Sequence, residues 1–468
     1  MKLNLKKDIL ILLIGNIPRV ILLVLYIRLQ TYFLDYENLS KYYLLFSVYS
    51  FLGIVFINPI ALFLNRHLLN WFNGGNLNSS LKKVFAKIIL PLGLLTFVII
   101  ICFIFFYNHI LGNIIFPLIG FLILFLFLSK TICDFILNSF NILGKNLIFM
   151  RLTVTFHLLS PIISVLLVTY FESSYLFWFL GLIFSNLLIG LIGWGYLKRL
   201  SANNKPLIDL SQLKSFSKNL IIASFLGWLL TDGFRFISEI KIGLFETGIL
   251  ILGIVSVNQI YANLEVLINQ FIMPNYFNKI NGVKFNMRSI AFNKLFNLTI
   301  PVYIIISILI FSFSELIINI LIDKSKINDS FKQIFLISIG VEFLRVLMNV
   351  LKNITVSEYQ SKPFLTPYLI GSLLLLICLY FEYFDTAISI AYLILLCFII
   401  IFISSIYFMN KILKIKVNFT LILKNLLPIL PFYVLVNLNT EYSFIIQLLL
   451  LLASLTIIFK LVKKYLTE

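Results

Sequence analysis

Arg19 sits in IGNIPRVILL, residues 14 to 23, in the middle of an otherwise apolar N-terminal run. A guanidinium stays charged at any physiological pH and presents its N–H donors in a planar fork, so its natural partner is a carboxylate or a phosphate. At mid-bilayer it costs at least about 2.5–3.5 kcal/mol, which places it against a bundle interior or a watery cavity. Asn16, Arg19, Tyr26 and Gln30 fall near one helical face, with Leu and Val over much of the rest. Pro18 removes one backbone hydrogen bond and predicts a bend there. Arg28, on the opposite face near the helix end, suits snorkelling as well as function.

Polar stripes on apolar bodies recur along the chain. Asp232, Arg235 and Glu239 are spaced three and four apart, as are Glu342, Arg345 and Asn349. Asn258, Tyr261, Glu265 and Asn269 form another stripe, and Lys130, Asp134, Asn138 and Asn141 a further one. Striped helices of this kind predict a wet central cavity. Asp232 with Arg235, and Glu342 with Arg345, can equally be read as structural pairs that lock the bundle; Arg19 has no acid three or four residues away. Arg19, Arg235 and Arg345 are therefore the candidates for anion binding, with Asn16 and Tyr26 beside them as hydrogen-bonding groups. Asp232, Glu265, Glu342 and Asp134 are the candidates for tuning those charges or carrying a coupling proton or sodium ion. No catalytic residue and no metal site is expected. His67, His109 and His157 are scattered singly, and Cys102, Cys133, Cys378 and Cys397 lie in or beside apolar runs at spacings unlike a zinc site or a disulfide framework.

The elements that must position these groups follow from composition. Of 468 residues, 61% are hydrophobic and 12% charged, outside the range of soluble globular domains. A spanning helix needs roughly 20 apolar residues, and the polar clusters divide the chain into fourteen such segments. The first six are residues 9–33, 43–64, 84–107, 112–137, 147–170 and 175–197. The other eight are 217–240, 247–272, 295–320, 331–352, 364–382, 386–409, 419–437 and 442–462. Alternate loops divide the cations unevenly: one face collects most of them, from Lys2, Lys6 and Lys7 through Lys198 and Arg199 to Lys460, Lys463 and Lys464. The other receives Lys41, Lys241, Lys324, Lys326 and Lys332. The positive-inside rule then puts both termini in the cytoplasm. It also accounts for the net charge of +18 as topology and attraction to anionic membrane lipids, without nucleic acid. Every outward loop is short, which leaves no room for the outward catalytic domain of a glycan polymerase or ligase.

An internal repeat completes the pattern. RLQTYFLDYENLSKYYLLFSVYS from Arg28 leads to INPIALFLNRH, and RFISEIKIGLFETGILILGIVSVNQ from Arg235 leads to FIMPNYFNKI. Each reads as a charged outward helix end, a turn with Glu37 or Glu246, a returning helix, and Pro59 or Pro274 near its inner end. The even number of intervening helices relates the halves by an axis along the membrane normal, with a substrate site expected between them.

With YYLLFS, GILILGI, the INPIALFLNRH exit and TDGFRF, the first twelve spans resemble the oligosaccharide (O-antigen or capsule repeat-unit) flippases of the multidrug/oligosaccharidyl-lipid/polysaccharide exporter superfamily. The glycine- and arginine-rich first helix and the following acidic motif of the lipid II flippase branch are missing. The resemblance implies an all-α polytopic membrane protein with six-helix lobes at residues 1–200 and 201–410 and two further helices at 411–468. It implies a bacterial inner-membrane transporter that flips undecaprenyl-pyrophosphate-linked oligosaccharide repeat units by alternating access, for lipopolysaccharide O-antigen or capsule synthesis, and makes or breaks no bond. A glycan polymerase and a chain-length regulator would be its partners in the pathway, and no cofactor is implied beyond a coupling proton or sodium ion. A multidrug exporter of the same superfamily is the alternative; it calls for an acidic, aromatic lumen, against which three deep arginines speak.

Overall fold

The computed structural model describes residues 5–95, 97–98, 116–200, 220–280, 284–358, 362–381, 384–437 and 443–467, and among these every regular element is helical. Among the described residues nine helices are long and apolar enough to cross a membrane. The described chain divides into two compact units, Met1–Gly248 and Ile249–Glu468.

In the first unit α1 (Leu5–Phe33) runs without interruption through Pro18. The returning helix begins earlier than its apolar run suggests. Asp35 caps α2 (Tyr36–Phe51) by accepting from the Asn38 N–H at 2.7 Å, and Glu37 sits in the first turn, where negative charge is favoured. A π-helical turn, Leu52–Ile57, joins α2 to α3 (Asn58–Asn73), with Pro59 in the first turn, a position that needs no intrahelical N–H partner. α4 (Leu77–Val84) leads into a second π-helical turn, Phe85–Ile89; residues 99–107 of the predicted third span lie outside the described residues. α5 (Phe116–Ile142), α6 (Asn146–Tyr170) and α7 (Tyr175–Leu200) follow the predicted spans closely. α5 and α6 both pack on α7, α1 on α6, α2 on α7, and α3 on α5.

A third π-helical turn, Leu229–Gly233, enters α8 (Phe234–Phe271). Its 38 residues are two spans broken at Gly243, whose φ of 75° only glycine adopts without strain. This break is the turn expected between residues 240 and 247. In the second unit come α9 (Met273–Ile280), α10 (Phe285–Ser312), α11 (Ser314–Leu321), α12 (Asp329–Glu358), α13 (Lys362–Tyr380) and α14 (Ala387–Ile412). α10 begins ten residues before the predicted 295 and stops at Ser312, because the polar segment from Phe285 to Lys294 continues the helix past the membrane boundary. α14 packs on α12 and α13, and α10 on α9 and α12. The predicted span 419–437 is two eight-residue helices, α15 (Phe419–Leu426) and α16 (Leu430–Asn437). Pro428 and Pro431 withhold two consecutive-turn N–H donors and break it. α17 (Ser443–Thr467) packs along α10 and α16. Cys133 and Cys397 are buried and Cys378 half-buried, all as free thiols; Cys102 lies outside the described residues.

Serine and threonine hydroxyls inside the spans donate to carbonyls three or four residues back, as Ser47 does to Tyr43 (2.7 Å), Ser185 to Gly181 (2.7 Å) and Ser338 to Ile334 (2.7 Å). Where no water can serve them, this local bond satisfies the hydroxyl. The α6–α7 contact depends on a missing side chain: a Cβ on Gly181 would lie 2.6 Å from Ser164 Cα, and Ser164 donates across the contact to the Trp178 carbonyl (3.2 Å). Helices in lipid associate through such close backbone approach. Gly181→Leu is therefore expected to push the two helices apart at a cost of roughly 1–3 kcal/mol, read as a lowered melting temperature in detergent, whereas Gly195→Leu, with open space at its Cβ position, leaves it unchanged.

Candidate functional site

The striped helices deliver their ionisable groups into three settings. The first is a closed cluster in the first unit. Arg235 Nη2 lies 2.7 Å from Asp232 Oδ1. Arg235 Nη1 donates to Ser47 Oγ (2.9 Å), Ser50 Oγ donates to Asp232 Oδ2 (2.9 Å), and the Trp228 indole N–H donates to the Ser47 carbonyl and to Ser50 Oγ, each at 3.1 Å. The guanidinium carbon also sits 5.9 Å from the Tyr43 ring centre. Arg235 is 5% exposed. The π-helical turn Leu229–Gly233 rotates Asp232 so that one carboxylate meets both Arg235 and α2. Charge is matched within the cluster, although Arg235 Nε is buried without a hydrogen-bond partner, and its bonds tie the π-helical turn and the start of α8 to α2.

The second setting, in the second unit, is an ion network. Arg345 Nε lies 2.6 Å from Glu342 Oε2, and Arg345 Nη2 lies 2.9 Å from Glu265 Oε2. Asn258 donates to Glu342 Oε1 (3.0 Å) and Asn349 to Glu265 Oε1 (2.8 Å), so all four carboxylate oxygens have a partner. Lys352 lies within electrostatic reach of Glu265, which brings two cations to two anions. The Tyr261 hydroxyl bonds Ser307 (2.6 Å) beside it. The stripes on α8 and α12 predicted in sequence thus meet each other, with α10 at their side.

The third setting is Arg19. Asn16 and Arg19 share a face: Arg19 Nη1 donates weakly to Asn16 Oδ1 at 3.4 Å, and Arg19 Nε is buried with no hydrogen-bond partner. Among the described residues Arg19 has no carboxylate partner. His157 of α6 lies within electrostatic reach of both Arg19 and Lys130, and Lys130 pairs with the more exposed Asp134 (3.3 Å) on α5. Tyr26 and Gln30 do a different job from the one expected of that face. Trp178 N–H donates to Tyr26 Oη (2.8 Å), Tyr26 bonds Tyr42 (3.2 Å), and Tyr43 donates to Gln30 (3.1 Å), which fastens α1 to α2 and α7. The Tyr26 and Trp178 rings pack at 5.5 Å.

Sequence reasoning singled out neither His157 nor Glu239 as a site residue. His157 belongs to no motif, and its nearness to Arg19 comes from α6 packing on α1, which one sequence does not show. Glu239 is 8% exposed and its Oε2 has no hydrogen-bond partner. Its place in the Asp232–Arg235–Glu239 stripe was the available signal, yet Arg235 turns to Asp232.

No protein-family model matches the chain, and no curated protein matches it either. Solved structures do match in fold. A structure described as "Lipid II flippase MurJ, inward closed conformation" aligns over 96% of this chain and 97% of its own, with TM-score 0.62 and 15% identity. A mutant of the Vibrio cholerae MATE transporter VcmN aligns over 87% and 95% (TM-score 0.56, 12% identity), and the eukaryotic MATE transporter AtDTX14 over 88% and 95% (TM-score 0.55, 12% identity). The fold of this chain is the all-helical polytopic fold of those transporters.

The Asp232–Arg235 geometry generates a test. Asp232→Ala leaves a buried cation without its counter-charge and is expected to destabilise the first unit by about 3–5 kcal/mol. Asp232→Ala combined with Arg235→Met removes both charges and recovers most of that loss, as measured by thermal unfolding in detergent.

Proposed function

We propose that the protein is a flippase for lipid-linked oligosaccharides carrying a pyrophosphate, moving them from the cytoplasmic to the outer leaflet of a bacterial inner membrane. Arg19 carries this reading. It is a cation well inside a spanning helix, held by one weak hydrogen bond and, among the described residues, neutralised by no acid. A structural arginine at that depth would be paired, as Arg235 and Arg345 are. An unpaired one is stable only where water or an anion reaches it, and a pyrophosphate supplies charge-assisted, bidentate acceptors. His157 of α6 lies within electrostatic reach of Arg19 and offers a ring nitrogen as a further hydrogen-bonding group. The shared fold with a lipid II flippase fits this reading. Both termini lie in the cytoplasm, the lobes comprise residues 1–200 and 201–410 with two added helices at 411–468, and no covalent chemistry is involved.

In this reading Arg235 serves the architecture of the first unit, and Arg345 shared between Glu265 and Glu342 forms a switch. Those two acids can exchange Arg345 for a proton or sodium ion as the substrate moves. Glu239 is a second candidate for coupling, because its Oε2 is buried without a hydrogen-bond partner, which is costly for a charged carboxylate unless a proton or cation joins it.

The same Glu239 favours a second reading, an exporter of organic cations, whose fold the MATE structures share. The two readings separate on which charge matters. For the flippase, Arg19→Ala is expected to weaken binding of a polyprenyl-pyrophosphate lipid by roughly 10–100-fold, the worth of a hydrogen bond to a charged group, with Arg19→Lys retaining part and Glu239→Gln binding normally. Titration of the purified variants with that lipid decides it. Undiminished binding by Arg19→Ala, together with loss of organic-cation binding in Glu239→Gln, would select the exporter.

A further inference from the structure

A cavity of about 680 Å³ opens in the second unit where α10, α15 and the end of α17 meet. Its wall is built by an extended strap, residues 413–418, that leads from α14 into α15. Two asparagines one turn apart on α10 grip the strap as a neighbouring β-strand would. Asn293 donates to the Lys414 carbonyl (2.9 Å) and accepts from the Lys416 N–H (2.8 Å). Asn297 donates to the Lys416 carbonyl (2.8 Å) and accepts from the Asn418 N–H (2.7 Å). Both peptide groups of Lys416 are thereby fixed, and Ser289 adds a bond to the Lys414 carbonyl (3.0 Å). So firm a hold on an exposed connection implies that the position of Lys416 matters.

Lys416 lines the cavity together with Lys294 from α10 and Lys464 from α17, and none of the described residues that line it is acidic. Beyond Thr420 and the asparagines at the strap, the remaining wall is mainly apolar, with Leu298, Leu421 and Leu461 on α10, α15 and α17. A pocket with three cations at its mouth and an apolar wall running into the bilayer matches one chemistry: a phosphate head on an acyl chain. Basic pockets between spanning helices bind anionic headgroups in this way, each nearby lysine adding attraction, and lysine stems can lie along the acyl chain while their ammonium groups reach the phosphate.

We propose that this cavity is a binding site for a resident anionic phospholipid of the phosphatidylglycerol type, pinning the strap and the two C-terminal segments to α10. A zwitterionic lipid carries its own ammonium beside the phosphate and gains less from the lysines. The inference is independent of what the protein transports.

The test uses the purified full chain in detergent, with lipid binding titrated by native mass spectrometry. Dioleoyl-phosphatidylglycerol is expected to bind at least about tenfold more tightly than dioleoyl-phosphatidylcholine. Lys294→Gln, Lys416→Gln and Lys464→Gln combined should abolish the preference, while Lys324→Gln, Lys326→Gln and Lys332→Gln combined, elsewhere in the unit, should keep it. Equal binding of the two lipids by the unaltered protein would overturn the proposal without reference to any variant. So would a preference that survives loss of the three cavity lysines. Displacement of the bound lipid by millimolar inorganic phosphate would make the ligand a free phosphate and overturn the lipid assignment.

Discussion

A charge inside hydrocarbon must be neutralised, hydrated or given up, and the arrangement of this molecule follows from how each deep charge meets that requirement. Arg235 is neutralised by Asp232 and fully enclosed. Arg345 is neutralised by Glu342 and Glu265, with Lys352 restoring the balance. Arg19 is neutralised by nothing among the described residues, and its neighbours there are Asn16 and His157. The first two solutions stabilise the fold. The third is tenable only if the site is wet or takes an anion, and the pairing of Arg235 and Arg345 shows how a structural arginine is held here.

The backbone devices around these charges serve the same end. Asp232, in the π-helical turn at Leu229–Gly233, is in reach of Arg235 by helical spacing and also meets Ser50 of α2. Gly243 breaks α8 where the chain turns back, so that the Asp232 cluster and the Asn258–Glu265 stripe fall on separate spans. Tyr26, Gln30, Tyr43 and Trp178 spend their polar atoms on each other, which fixes the face of α1 that carries Arg19. The arginine is thus the loosely held member of a firmly held helix. That is the arrangement expected of a binding group, whose rotamer freedom is lost only when ligand arrives.

Much of the fold could be read from one sequence because spanning helices obey strict rules of length and charge. α6, α7 and α14 lie close to their predicted bounds, whereas Pro59 and Pro274, expected near the inner ends of the returning helices, stand in the first turns of the separate helices α3 and α9. What escaped depends on local chemistry finer than hydropathy. Asp35 starts α2 inside a polar stretch, and paired prolines split the segment at 419–437. At the candidate site the i, i+3 pairs Asp232–Arg235 and Glu342–Arg345 were legible, because helical spacing alone puts them within reach. The Glu265–Arg345 bridge, the Tyr26–Trp178 bond and the nearness of His157 to Arg19 join residues far apart in sequence, and only packing reveals them. The Asn293–Asn297 grip on the strap is of the same kind.

The central claim is that Arg19 stands in a water-accessible, net-positive site, and charge-selective labelling measures this directly. In a chain whose four native cysteines are replaced, His157→Cys would be treated with anionic and with cationic methanethiosulfonate reagents of similar size. The account predicts that the anionic reagent modifies it faster, and that the advantage disappears when Arg19 is also changed to Gln. No modification by either reagent of the folded protein, or faster modification by the cationic one, would contradict it.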